Sequence, residues 1–351
     1  MSLAIKQSEY EERLAGLAEH LLERKLTGAV LFDPYYVLYY AGFAFAPTER
    51  PIAFVLTDEG KGGMLVPRLE REHAQANASV DHVADYPEYP SETHPMESLH
   101  SLLAEMGVAG SFGADQDGYP WVLGYRGPSL TELTGTTPER ITAFVEDQMS
   151  IKSRAEIELI RESAKWGNLA HVLLQRYTRP GLTESQVSWR AGAEATLAML
   201  DAIGPIYRGQ RWGYLSELER TMVIGPPSPE QRELFDHMVA LQDTAFAAIK
   251  PGARCSDVDR AVRAYYDKHD LWEYWKHHVG HCIGLRYHEG PFLDLGDDTE
   301  IKPGMVFTVE PGLYAAGLGG FRHSDTVAVT DDGIEFLTYY PRDLVSLTLP
   351  V

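Results

Sequence analysis

Tyr10, Leu14, Leu17, Leu21 and Leu22 recur at helical spacing across residues 8–26, with polar positions between them, and Thr27-Gly28 ends the pattern. A stripe of that period predicts an amphipathic helix with one buried face. The apolar run Ala29-Val30-Leu31-Phe32, stopped by Asp33-Pro34, reads as a short buried strand. Residues 35–45 then carry Tyr35, Tyr36, Tyr39, Tyr40, Phe43 and Phe45, suited to packing between helix and sheet. Residues 52–56 and 63–66 read as paired strands around Thr57-Asp58-Glu59-Gly60. Residues 96–106 read as a helix and 111–114 as a further strand. This alternation predicts an α/β domain over residues 1–145, and it holds no phosphate-binding glycine loop.

From 150 the texture changes. Ser153-Arg154-Ala155-Glu156 is a capping box that opens a long helix with Ile157, Ile160, Ala164, Leu169, Val172 and Leu173 on one face. Pro180-Gly181 stops it. Thr183-Glu184-Ser185-Gln186 starts a second helix, reaching about 199. Ser228-Pro229-Glu230-Gln231 starts a third, with Pro at the first helical position, and Pro251-Gly252 ends it. Ser256 is expected to cap a fourth, to about 268. A pair of long helices followed by β-rich sequence thus occurs twice, a weak internal repeat. Between the pairs, residues 214–221 read as a strand, which would turn Glu217 and Glu219 to one face and Arg220 to the other. Two carboxylates side by side repel unless a cation, a metal or a proton meets them.

The chemistry concentrates near the C-terminal end. Segments 276–291, 306–312 and 320–327 hold five histidines and three carboxylates among glycines, prolines and short β-rich runs. Imidazoles and carboxylates serve acid-base catalysis and metal binding, and inside apolar strands they are costly unless partnered. Composition narrows the partners. With 351 residues, 44% hydrophobic and 23% charged, the chain suits two globular domains. A net charge of −20 argues against nucleic acid or an anionic membrane as the main partner. Only Cys255 and Cys282 are present, which makes a disulfide framework improbable. Cys282 reads as a small buried residue rather than a nucleophile. No apolar run reaches membrane-span length, and the N-terminus lacks a basic-then-apolar signal, so a cytoplasmic location is expected.

The motifs of the second half resemble the pita-bread hydrolases, the family of methionine aminopeptidase, Xaa-Pro aminopeptidase, prolidase and creatinase. The resemblance covers about 150–340 and rests on Ile151-Lys152-Ser153, Gly181-Leu182-Thr183-Glu184, Glu219-Arg220-Thr221, Lys250-Pro251-Gly252, Gly280-His281-Cys282-Ile283-Gly284-Leu285, His288-Glu289-Gly290-Pro291, Pro303-Gly304-Met305 and Glu310-Pro311-Gly312-Leu313-Tyr314. It implies a pita-bread catalytic domain over 150–351, an antiparallel curved sheet covered by two helix pairs. Residues 1–145 are similar to the creatinase/prolidase-type accessory domain. A homodimer is implied too.

The family's metallopeptidases hold two divalent ions with two Asp, one His and two Glu. Carried over, the His falls on His281, the first Glu on Glu310 and the second Asp on Glu217. The second Glu falls on Ser324, a poor ligand. The first Asp would precede Tyr214, where residues 203–213 hold no carboxylate. The family's paired strands and further active-site His before that Tyr have no counterpart there either. Glu217, His281 and Glu310 are the residues left to hold any divalent metal (Mn, Co or Zn), and the standard two-metal set is incomplete.

The resemblance implies hydrolysis of a C–N bond in a small or dipeptide substrate, Xaa-Pro peptidase-like. His281, His288, Glu310 and Glu219 are the expected catalytic residues, and Tyr214, Arg322 and His323 the expected substrate-binding ones. One alternative is a metal-independent, creatinase-like amidine or amide hydrolase, in which Glu219 and Glu310 orient a cationic or amide group. Another is a catalytically silent binding protein on the same fold.

Overall fold

The first apolar stripe folds as α1 (Gln7–Arg24) in the computed structural model, which describes residues 4–120, 123–203 and 213–351. Leu14, Leu17 and Leu21 are buried, whereas Leu22, on the edge of the stripe, is exposed. The chain divides into two units at Met149–Ser150.

In the N-terminal unit follow β1 (Gly28–Leu31), α2 (Pro34–Ala41), β2 (Ala53–Thr57), β3 (Gly62–Pro67), α3 (Arg71–Asn77), β4 (His82–Tyr86), α4 (Pro95–Glu105), β5 (Gly113–Ala114), α5 (Leu130–Thr134), β6 (Glu139–Arg140) and α6 (Thr142–Ser150). The strands form one sheet in the order β4-β3-β2-β1-β5-β6. β1–β2 and β2–β3 are antiparallel, and the outer pairs are parallel. Val30, Phe32, Val55 and Leu65 pack against Leu99, Leu102 and Leu103 of α4. Asp33 caps α2 by accepting from Tyr35 N at 2.9 Å.

The C-terminal unit begins with α7 (Arg154–Tyr177) and α8 (Glu184–Ile203), and both expected capping boxes form. Leu173 of α7 packs with Ala191 and Ala195 of α8. β7 (Val223–Ile224), α9 (Pro229–Ala248) and α10 (Cys255–His269) come next. Ser256 is not the N-cap of α10; that position is Arg254. The free N–H groups of this helix end go to backbone carbonyls instead, Cys255 N to Thr299 O and Ser256 N to Asp297 O, so no capping hydroxyl is required.

The remaining strands are β8 (Gly280–Cys282), β9 (Glu289–Leu293), β10 (Val306–Val309), β11 (Gly312–Ala315), β12 (Gly319–Arg322), β13 (Asp325–Val329), β14 (Ile334–Phe336) and β15 (Thr348–Leu349). Five make an antiparallel sheet in the order β14-β13-β10-β8-β9. Alternation sorts its residues. Cys282, Phe307, Val309 and Val327 join the large core with Met238 and Leu241 of α9 and Val258 and Val262 of α10. Val306 and Ala328 face the other way, packing with Ile283 and with Ile157 and Ile160 of α7. Thr308, Glu310 and Thr326 share that second face by the same alternation. Gly280 is required where β8 meets β10, because a Cβ there would lie 2.0 Å from the Thr308 carbonyl oxygen.

Residues 214–221 are not a regular strand. They make a single bridge, Glu219 with Ser324, because Thr326 Oγ1 rather than a main-chain oxygen accepts from Glu217 N, at 2.8 Å. Residues 321–327 are likewise not continuous: β12 pairs with β11, and the chain crosses to the larger sheet at His323-Ser324.

Candidate active site

β8 presents His281, whose side chain is fully buried. Its Nδ1 lies 2.8 Å from the Cys282 carbonyl oxygen and so donates to it, which leaves Nε2 facing away from the strand. Nε2 stands 3.2 Å from Glu310 Oε1 and 3.9 Å from Glu217 Oε2. It is close enough to pair with these carboxylates yet aligned in a hydrogen bond with neither. Burial opposes charge on this imidazole, but Glu310, the Cys282 carbonyl and Glu217 outweigh it and raise its pKa. Burial likewise acts to raise the Glu310 carboxyl, and His281 and Arg322 reverse the sign and hold it below the usual range.

Oxygens of Glu217, Glu219 and Glu310 gather within 4.8 Å of one another. Glu217 Oε1 accepts from Ser324 Oγ at 2.6 Å. Both oxygens of Glu219 face Arg322, one against Nη2 and one against Nε. Arg322 Nη1 also lies 3.3 Å from Glu310 Oε2. Burial pushes the Glu219 carboxyl up, Arg322 pulls it down, and Glu217 and Glu310 leave the balance upward. Arg220 points the other way. It pairs with Asp325 at 2.7 Å and donates to the carbonyls of Glu219, Ser324, Tyr340 and Pro341, so it anchors the main chain under the cluster.

His288 is exposed, with its ring 4.2 Å from that of His281. Two expected substrate-binding residues are engaged elsewhere. Tyr214 donates its hydroxyl to Glu156 Oε1 at 2.7 Å, at the capping box of α7. His323 is fully buried: Nδ1 accepts from Thr221 N at 3.3 Å and Nε2 donates to the Arg342 carbonyl at 3.2 Å. With both nitrogens spent on backbone, His323 is a structural residue, and its substrate-binding role is withdrawn. Sequence reasoning missed Tyr287, whose ring lies beside those of His281 and His288, and His278, which groups with His281 and Glu310. Their signal was adjacency to the His281 and His288 motifs, which does not say where a side chain points.

A two-ion centre does not fit the described residues. It needs carboxylates with oxygens free to bridge, and here Ser324 occupies one oxygen of Glu217 while the Arg322 guanidinium lies against both oxygens of Glu219. Residues 204–212, beside the expected place of the family's first Asp, lie outside the described residues.

Comparison with known proteins places these observations. Residues 199–331 match Metallopeptidase family M24, and residues 13–126 match the Creatinase/Prolidase N-terminal domain. The chain is 28% identical over 370 residues to a probable dipeptidase, PepE, of Mycobacterium bovis, with 96% of each chain covered. The crystal structure of dipeptidase PepE from Mycobacterium ulcerans is similar at 25% identity and a TM-score of 0.81, over 99% of this chain and 100% of that one. The Xaa-Pro dipeptidase of Bacillus anthracis shares the fold, with a TM-score of 0.81 at 23% identity over 99% of this chain and 100% of that one.

Proposed function

This chain belongs to the pita-bread family of hydrolases, and from that premise we propose that it cleaves a C–N bond in a small substrate as an Xaa-Pro peptidase-like enzyme acting on dipeptides. The observation that carries the reading is the grouping of His281 Nε2 with Glu310, Glu217 and Glu219. In the proposed reaction water adds to the scissile carbonyl carbon, and Glu310 receives its proton. Arg322 and His281 keep that carboxylate ionised between turnovers. His288, beside His281, donates a hydrogen bond to the tetrahedral oxyanion. The proton then passes to the leaving nitrogen as the C–N bond breaks. Burial and the neighbouring His281 both lower the His288 imidazole, which suits a neutral donor.

Glu310→Ala and His288→Ala are each expected to lower kcat on an Ala-Pro dipeptide by about 10²–10⁴-fold, the usual worth of a positioned acid-base group. Full activity in either variant, with an unchanged circular dichroism spectrum, removes this site. A second reading, a metal-independent amide or amidine hydrolase, is favoured by Ser324 and Arg322 filling the carboxylates. Turnover of a small amide that survives a chelator, with Ala-Pro left uncleaved, would select it.

The proposal includes a homodimer and a cytoplasmic location. For the first, α8 leaves Trp189 and Leu197 exposed, about two turns apart on the same helix. For the second, both cysteines are free and buried.

A further inference from the structure

We propose that Arg322 is the resident cation of the carboxylate cluster and that it excludes a second divalent ion from the site. Three carboxylates with oxygens within 4.8 Å of one another must be met by positive charge or by protons. In a dinuclear centre the ions supply that charge. Here each carboxylate has a donor from the chain itself. Glu219 accepts from Arg322 Nη2, its second oxygen lies against Nε as an ion pair without an aligned hydrogen bond, and Glu310 faces Nη1 at 3.3 Å. Glu217 receives the hydroxyl of Ser324 at 2.6 Å. A guanidinium is always charged, and its planar fork matches a carboxylate, so it neutralises without being loaded.

The main chain fixes this arrangement. Ser324 N donates to the Glu219 carbonyl and Glu219 N to the Ser324 carbonyl, both at 3.1 Å, which sets the Ser324 hydroxyl beside the carboxylates. Arg220 clamps both carbonyls from beneath. The sequence between Ile203 and Gly213 holds no Asp or Glu, so that segment brings no further bridging carboxylate. What remains for an ion is the bare Nε2 of His281 with the oxygens of Glu310 and Glu217 that face it and a ring nitrogen of His278 beside them, which is one position centred on His281 and Glu310.

The test is ion binding on the full chain, read by calorimetric titration with Mn²⁺ after chelator treatment and exchange into metal-free buffer. Wild type is expected to bind no more than one ion per chain. Arg322→Met, which removes the charge, is expected to gain a second ion or to bind the first at least tenfold tighter. Arg322→Lys, which keeps the charge, should behave as wild type. Two ions bound to wild type overturn the proposal without any variant, so a variant that does not fold leaves it testable. Equal binding in wild type and Arg322→Met also overturns it, as does a gain in Arg322→Lys equal to that in Arg322→Met. Because the readout is binding, the result is separate from whether the chain cleaves a dipeptide.

Discussion

His281 and His323 are both fully buried, and the structure shifts their pKa values in opposite directions. His281 faces two carboxylates and is raised. His323 is pulled down to about 4, first by burial and then by the charge of Arg220. Protonating it would also set a hydrogen on Nδ1 against the Thr221 N–H that donates there. A folded pKa below the unfolded value of roughly 6.5 means that the stabilisation is complete above that pH and is lost as pH falls through the window down to about 4. The amount at stake is about 3 kcal/mol, at 1.36 kcal/mol per pKa unit. Urea unfolding of wild type and His323→Gln at several pH values checks this. The advantage of wild type should shrink steadily from pH 7 to pH 4, and a constant difference would refute it. The sequence showed two histidines among short β-rich runs, but the direction of each shift follows from neighbours brought in by other segments.

At the scale of elements, the segment before α7 is tied to β9 by a buried ion pair, Lys152 Nζ to Glu289 Oε2 at 2.7 Å. Glu289 Oε1 also accepts from Arg286 N at 2.9 Å, so the carboxylate is well satisfied. Gly284 permits the approach, since a Cβ there would meet Glu289 and Lys152 within 2.9 Å. Removing one partner of such a pair strands a buried charge, and Lys152→Met is expected to cost about 3–5 kcal/mol in urea unfolding. The double variant Lys152→Met with Glu289→Leu should recover much of that loss. A double variant no more stable than the single would show that the pair itself, rather than the stranded charge, carries the stability. The helices were legible because a capping box is local: Ser153 with Glu156 and Ser228 with Gln231 sit three residues apart and close on themselves. Residues 214–221 were misread as a strand for the opposite reason. Their pairing depends on Thr326 and Ser324, about a hundred residues away.

For the whole molecule, each unit has its own sheet and its own core. No helix among the described residues is long and apolar enough to cross a membrane. Light scattering on the purified chain is expected to give twice the mass of one chain, and a species of single-chain mass alone would remove the homodimer. If the exposed Trp189 and Leu197 lie in that contact, replacing both with Ser should shift the mass towards a single chain.

By itself, the sequence determined the two-part architecture, the four long helices of the second half and the motifs that mark the family. Each rests on periodicity, caps and turn residues acting over a few positions, where local physics decides. It also pointed to His281, Glu310, Glu217 and Glu219 as site residues. Only the tertiary structure decided which of the remaining polar groups join them. Antiparallel register set Ser324 against Glu219, the crossing from β12 to β13 buried His323 on backbone partners, and Arg322 came to rest between two carboxylates. These outcomes depend on distances between segments far apart in the chain, and those distances are set by how the sheet closes.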